Sequence, residues 1–239
     1  MSEAKHTILV VDDSEVIRRS LKNFFSDYDF DVVTCSDGYE GIQAAAEYKP
    51  SLIFLDLMMP NFDGVKMLQV LKVLEGLKTI PVIIISGNTN RTNVLSVIEA
   101  GAERVMSKPL QKEIIVKNIN EMLGPDFLMK AKKGKAFSTL ESNDIQRKLA
   151  SIFLKSASVK KEAMSDALNT RDKETLKYII HEFKGAGSTI GYPKLTFISG
   201  VIEDQLNGSK ISWDQINMMC NQVISIICEI EESNIAEEG

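Results

Sequence analysis

Residues 7–13 read TILVVDD, a short apolar run that stops at two aspartates. The same shape recurs down the first half of the chain. Asp31–Cys35 is a second run, and Leu52–Leu55 a third, ending at Asp56. Pro81–Ile85 ends at Ser86-Gly87, and Glu103–Met106 is followed by Ser107-Lys108-Pro109. Between these runs lie helical patterns. One carries Ile17, Leu21, Phe24 and Phe25, with Ser14 as its expected cap. Others cover Asp37–Tyr48, the stretch after a loop with Pro60 and Gly64 as far as Leu74, Arg91–Ala100, and Leu110–Met122. Strands without polar alternation are buried on both faces, and strict alternation with helices implies a parallel sheet. The expected fold of this half is an α/β doubly wound parallel (βα)5 domain.

In such sheets ligands sit beyond the carboxyl ends of the strands. The polar residues at those ends are Asp12, Asp13, Asp56, Ser86 and Lys108. Clustered carboxylates are costly without a cation, and an all-oxygen set suits Mg²⁺. Lys108 adds a second positive charge, and Ser86 a donor for a phosphoryl oxygen. With one carboxylate as nucleophile, the set suits transfer of a phosphoryl group. Val11-Asp12-Asp13-Ser14 contains neither G-x-G-x-x-G nor a P-loop, which argues against nucleotide binding at this sheet.

The second half has a different period. Residues 175–191 read TLKYIIHEFKGAGSTIG. On a helix advancing about 100° per residue, Lys184, Gly185 and Ser188 fall beside His181, with Glu174 and Lys177 completing the polar stripe. Leu176, Ile179, Phe183, Ala186 and Ile190 fall opposite. That face goes to a core, so His181 is expected to face water. A glycine inside a helix costs about 1 kcal/mol against alanine. Gly185 on the histidine's face therefore points to close approach by another surface, with Gly185 and Ser188 read as docking residues. An exposed imidazole beside a cation suits accepting and donating a phosphoryl group. From Ser138 onward the chain shows helical patterns at 144–157, 160–168 (these two as separate helices or one bent helix), 172–189, 195–206 and 213–232, which make a bundle. The expected organisation is a domain over 1–123, a linker over 124–137 that opens with Gly124-Pro125 and is read as flexible chain or a poorly packed helix, and an all-α helical-bundle domain over 138–239.

Composition narrows the classes further. Of 239 residues, 44% are hydrophobic and 26% charged, ordinary globular values. A net charge of −5 gives no electrostatic case for nucleic acid. No apolar run approaches the roughly 20 residues of a membrane span, so no membrane insertion is expected. The opening residues Met1–His6 are polar and read as no signal peptide. Cys35, Cys220 and Cys228 fit no metal or disulfide spacing and read as reduced packing residues of a cytoplasmic protein.

The residues also carry two resemblances. His181-Glu182-Phe183-Lys184-Gly185 with Gly191 resembles the H-x-x-K-G…G signature of histidine phosphotransfer (HPt) domains. The first half resembles the receiver domain of two-component response regulators, with every motif in order. The receiver resemblance implies Asp56 as phosphoacceptor. It also implies Asp12, Asp13 and Asp56 with the backbone carbonyl of Met58 around Mg²⁺, Ser86 and Lys108 on the phosphoryl group, and a cis bond before Pro109. The HPt resemblance implies phosphate on an imidazole nitrogen of His181, with Lys184 countering its charge. Receivers often have Tyr or Phe three residues before the lysine, a ring that turns on phosphorylation. Here Val105 stands there, which suits a receiver that passes phosphate on. The expected function is a phosphorelay intermediate between a histidine kinase and a downstream response regulator, a phosphotransfer protein rather than an enzyme. Two alternatives stay open: a phosphorylation-controlled binding switch, and a phosphate sink whose HPt domain engages a partner receiver. A hydrolase is the weakest rival, since no separate general base stands out.

Overall fold

The computed structural model describes residues 5–59, 63–87, 91–132, 142–208 and 210–236. They form two compact units, Met1–Ser138 and Thr139–Gly239.

In the first unit, β1 (His6–Val11), β2 (Phe30–Cys35), β3 (Leu52–Asp56), β4 (Val82–Ser86) and β5 (Arg104–Ser107) pair in parallel in the order β2-β1-β3-β4-β5. Successive side chains of a strand point to opposite faces. Ile8 and Val10 therefore pack on one side with Ile17, Leu21 and Phe25 of α1 (Glu15–Phe25) and Ile115 and Ile119 of α5 (Lys112–Leu123). Leu9 and Val11 pack on the other with α2 (Gly38–Tyr48), α3 (Gly64–Val73) and Val97 of α4 (Arg91–Glu99). Val105 joins this second core as a half-buried aliphatic residue. The chain reverses direction across the sheet between β1 and β3. The carboxyl ends of those two strands, Asp12 and Asp56, thus flank the switch-point crevice.

Local signals explain the helix starts. Asp37 caps α2 by accepting from Tyr39 N (2.8 Å) and Glu40 N (2.9 Å), and Asp63 caps α3 by accepting from Lys66 N (2.8 Å). Ser14 occupies the N-cap position of α1, but its side chain caps nothing. Its backbone N–H instead donates to Asp12 Oδ1 at 2.9 Å, which ties the helix start to the acidic edge. Of the loop expected between Asp56 and α3, residues 60–62 lie outside the described residues.

The stretch 124–137, expected as a linker or a poorly packed helix, is helical in part. Its residues Asp126–Ala131 form a helix, α6, that belongs to the first unit. Leu128 is buried, Phe127 stacks on Phe30 at 5.2 Å, and Asp29 N donates to Ala131 O at 2.6 Å. Covering the apolar rim at Tyr28 and Phe30 is what holds this short helix, which would be marginal alone. Residues 133–137 lie outside the described residues.

The second unit contains α7 (Ser142–Thr170), α8 (Lys173–Gly187), α9 (Pro193–Asn207) and α10 (Trp213–Ala236). The two patterns at 144–157 and 160–168 are thus one helix. Asp172 caps α8, accepting from Thr175 N (3.1 Å) and Thr175 Oγ1 (2.7 Å). Helix α8 has a neighbour on each side. Towards α7, Phe183 meets Phe153 edge-on at 5.7 Å and Glu182 pairs with Lys160 at 2.7 Å. Towards α9 the approach is closer, because a β-carbon on Gly187 would lie 2.7 Å from Thr196 N.

Candidate functional site

Each unit carries one candidate site. In the first, Asp12, Asp13 and Asp56 bring carboxylate oxygens within 4.8 Å of one another. Asp12 and Asp56 are fully buried. Lys108 reaches in from the segment after β5, its Nζ 2.9 Å from Asp12 Oδ2 and 3.0 Å from Asp56 Oδ2. Its backbone is fixed by a bond from Lys108 N to Ser86 O (2.8 Å), and the Lys108-Pro109 bond is cis. Ser86 is buried at the end of β4. Met58 N donates to Asp56 Oδ1 at 3.3 Å, which orients the carboxylate. All five residues expected at the strand ends therefore share one edge. Arg18 adds a contact that sequence reasoning missed, donating from α1 to the carbonyl of Asp12.

The electrostatics of this site call for a cation. Burial, reinforced by the charges of Asp56 and Asp13, pushes the Asp12 carboxyl up to about 7 although Lys108 pulls the other way. Burial alone would lower the Lys108 ammonium, but the Asp12 and Asp56 carboxylates outweigh it and hold it above the ordinary lysine value. Asp12 and Asp56, both buried, share the Lys108 ammonium with the half-buried Asp13 carboxylate close by, a concentration of negative charge that is costly. Hard oxygen donors so arranged fit Mg²⁺.

In the second unit the expectation that His181 faces water is overturned. The ring is 3% exposed. The helical wheel assumed one neighbour, whereas α9 covers the His181–Ser188 part of the stripe that the wheel left to solvent. Gly185 is likewise buried, and Ser188 is engaged within the domain, where Ser188 N donates to Thr196 Oγ1 at 2.8 Å. The surface that approaches the glycine-bearing face of α8 is thus its own neighbour α9.

Helix α9 also supplies a residue that sequence reasoning missed. Glu203, 22 positions from His181, places Oε1 2.8 Å from His181 Nδ1 and Oε2 2.7 Å from Lys184 Nζ. Burial by itself would raise the Glu203 carboxyl, but the hydrogen bonds and charges of His181 and Lys184 hold it down at about 2. An ionised carboxylate only accepts hydrogen bonds. Nδ1 is therefore the donor in this pair, and in the neutral ring the lone pair stands on Nε2. Nε2 has no hydrogen-bond partner among the described residues.

A pH dependence follows. Glu203 titrates below its unfolded value of 4.5, so its stabilisation is full above that pH and is lost as pH falls towards 2. The linkage amounts to about 3 kcal/mol. Denaturation of the full chain at pH 5 and pH 2 should show a loss larger by about this amount in the wild type than in Glu203→Gln.

Comparison with known proteins identifies the two units. The response regulator receiver domain matches residues 8–120, and the Hpt domain matches residues 148–231. Protein PilG of Pseudomonas aeruginosa is 31% identical over 106 residues, covering 44% of this chain and 78% of PilG. The chain belongs to the response regulator receiver family. Its receiver domain is followed by an Hpt domain, and the chain is a two-component phosphorelay protein built of phosphotransfer modules. Transcriptional regulatory protein KdpE of Mycobacterium tuberculosis is 35% identical over 102 residues, 43% of this chain and 44% of KdpE. Transcriptional regulatory protein SrrA of Staphylococcus aureus is 34% identical over 116 residues, 48% of this chain and 47% of SrrA. The chain thus spans about half the length of these two regulators. The structure of chemotaxis protein CheY4 of Vibrio cholerae is similar over 49% of this chain and 98% of its own, with a TM-score of 0.47 and 24% identity. Among the described residues of both domains, no helix is long and apolar enough to cross a membrane.

Proposed function

We propose that this protein is a phosphorelay intermediate that accepts a phosphoryl group on Asp56 and carries one on His181, between a histidine kinase and a downstream response regulator in the cytoplasm. The first unit, α6 included, acts as the receiver domain, and 138–239 as the phosphotransfer domain. Asp12, Asp13, Asp56 and the Met58 carbonyl would hold Mg²⁺, which when bound offsets phosphoryl charge. An Asp56 carboxylate oxygen attacks phosphorus of a phosphohistidine or small acyl phosphate. Lys108 meets the charge on the transferring oxygens and Ser86 donates to one of them.

At the second site Nε2 of His181 attacks the phosphorus of an aspartyl phosphate. The N–P bond forms as the P–O bond breaks, the aspartate leaves as a carboxylate, and the ring becomes cationic with its proton still on Nδ1. Lys184 turns to the arriving phosphoryl group. Because the ring is 3% exposed, the donor reaches Nε2 only after side chains around it move. The observation that carries this reading is the unpartnered Nε2 opposite an anchored Nδ1.

Labelled acetyl phosphate with Mg²⁺ tests it on the wild type, Asp56→Ala and His181→Ala. Base-stable, acid-labile label that needs both residues is the expected result. Label confined to Asp56, with His181 not loaded even by a phosphorylated partner receiver, would favour the binding switch. Loading of His181 by a partner receiver, followed by flow onto Asp56 and release, would favour the phosphate sink. Chelation of Mg²⁺ should remove the Asp56 label.

A further inference from the structure

Each polar atom of Asp12 is tied to a different part of the receiver domain. Its N–H donates to Cys35 O at 3.2 Å. Its Oδ1 accepts from Ser14 N at 2.9 Å, and its Oδ2 lies 2.9 Å from Lys108 Nζ. The carbonyl oxygen is held differently. The last paired residue of β1 is Val11, opposite Cys35 on one side and Leu55 on the other, so the Asp12 carbonyl stands one residue beyond both ladders. A buried carbonyl needs a donor. The guanidinium of Arg18 supplies it, from six residues further along the chain. Arg18 is itself fixed in the first turn of α1, where its N–H donates to Ser14 O at 3.1 Å. The helix thus reaches back to hold the turn from which it starts.

We propose that Arg18 is a positioning residue for Mg²⁺: by holding the Asp12 carbonyl it fixes the turn that brings Asp13 to Asp12 and Asp56, and it keeps that carbonyl from becoming a ligand itself. This rests on the reading of the three aspartates as the Mg²⁺ site. The Asp12 carbonyl and the Asp13 N–H belong to one planar peptide group. A donor on the oxygen therefore sets the direction in which the Asp13 Cα leaves. Asp13 is only half-buried, yet its carboxylate has to stay within 4.8 Å of the other two. Mg²⁺ demands near-octahedral oxygens at about 2.0–2.1 Å, whereas Ca²⁺ takes about 6–8 oxygens, backbone carbonyls among them, in looser geometry. A clamped turn whose carbonyl is already engaged favours the smaller ion.

Charge and position predict opposite signs here. Arg18 is a cation beside a cation site. If only its charge mattered, removing it would tighten metal binding. If it positions Asp13, removing it weakens binding in spite of the lost repulsion.

The test is calorimetric titration of the unphosphorylated full chain with Mg²⁺ and, separately, with Ca²⁺, for the wild type and Arg18→Met. Methionine keeps an aliphatic stem and loses both the donor and the charge. Mg²⁺ should bind about 10-fold more weakly, the scale on which groups behind metal ligands act. Ca²⁺ should lose less. Mg²⁺ binding that is unchanged or tighter overturns the proposal. So does an equal loss for the two ions, which is what a merely loosened fold would give. In the metal-free protein, the Asp13 amide signal in a ¹H–¹⁵N spectrum should shift and broaden in the variant, and an unchanged signal overturns the proposal. Should Arg18→Met fail to fold, Arg18→Gln, shorter and polar, takes the same measurements with the same outcomes. A wild type that binds no Mg²⁺ would remove the metal reading and the proposal with it, and a moved Asp13 amide would then leave only the clamp on the turn.

Discussion

Lys108→Met should cost the metal-free protein about 3–5 kcal/mol of stability, the usual penalty for removing one partner of a buried ion pair. The lysine lies between Asp12 and Asp56 at 2.9 and 3.0 Å, with its side chain 3% exposed. Methionine fills much of the same space but leaves the carboxylates facing one another without a cation. Two consequences distinguish this from ordinary destabilisation. Excess Mg²⁺ should restore more stability to the variant than it adds to the wild type, because a bound cation would replace the missing charge. Labelling of Asp56 by acetyl phosphate should nevertheless stay about 10²–10³-fold slower, since the fixed positive charge proposed to meet the transferring oxygens is gone. Denaturation with and without Mg²⁺, together with the labelling rate, checks both. Wild-type stability and rate in the variant would mean that Lys108 is a bystander.

What the sequence disclosed and what it hid divide along physical lines. Strand runs buried on both faces, such as Leu52–Leu55 and Pro81–Ile85, are continuous in sequence. Their sheet and the residues at their ends can be read without knowing tertiary contacts. The burial of His181 could not be read that way. Its environment is made by a helix that begins a dozen residues later, and a single helical wheel has no place for a second neighbour. A signal did exist on α9. Leu195, Ile202 and Leu206 are its buried stripe, and Ser199 and Glu203 sit within the same sector. A glutamate there demands partners, because a buried carboxylate is costly unless paired. Asking what could pair with it leads to the cationic and imidazole donors of α8, of which His181 and Lys184 are the two that meet it. The packing of α6 was hidden for a similar reason. Phe127 and Leu128 stand beside a basic stretch, and their value lies in Phe30 and Tyr28, nearly 100 positions earlier.

Gly64→Ala carries a large expected effect at a residue with no chemistry of its own. Gly64 opens α3 directly after its cap Asp63, and its N–H donates to Leu57 O at 3.0 Å. A β-carbon there would overlap the carbonyl oxygen of Asp56 and lie 2.9 Å from Leu57 Cα. Both obstacles are backbone, so neither can rotate away. The start of α3 or the end of β3 has to shift. Overpacking of this sort costs about 1–3 kcal/mol. The functional loss should exceed what that figure suggests, because the displaced atoms carry Asp56, the proposed phosphoacceptor. Asp56 Oδ1 is oriented by Met58 N and Oδ2 by Lys108, and a displacement on the order of 1 Å is enough to lower a rate about 10²-fold. Asp56 labelling by acetyl phosphate should fall accordingly. The ¹⁵N ring spectrum of His181, which lies in the other unit and pairs with Glu203, should stay as in the wild type. Loss of both signals would show a general failure to fold, and retention of the Asp56 label would show that the α3 start can yield without moving the acceptor.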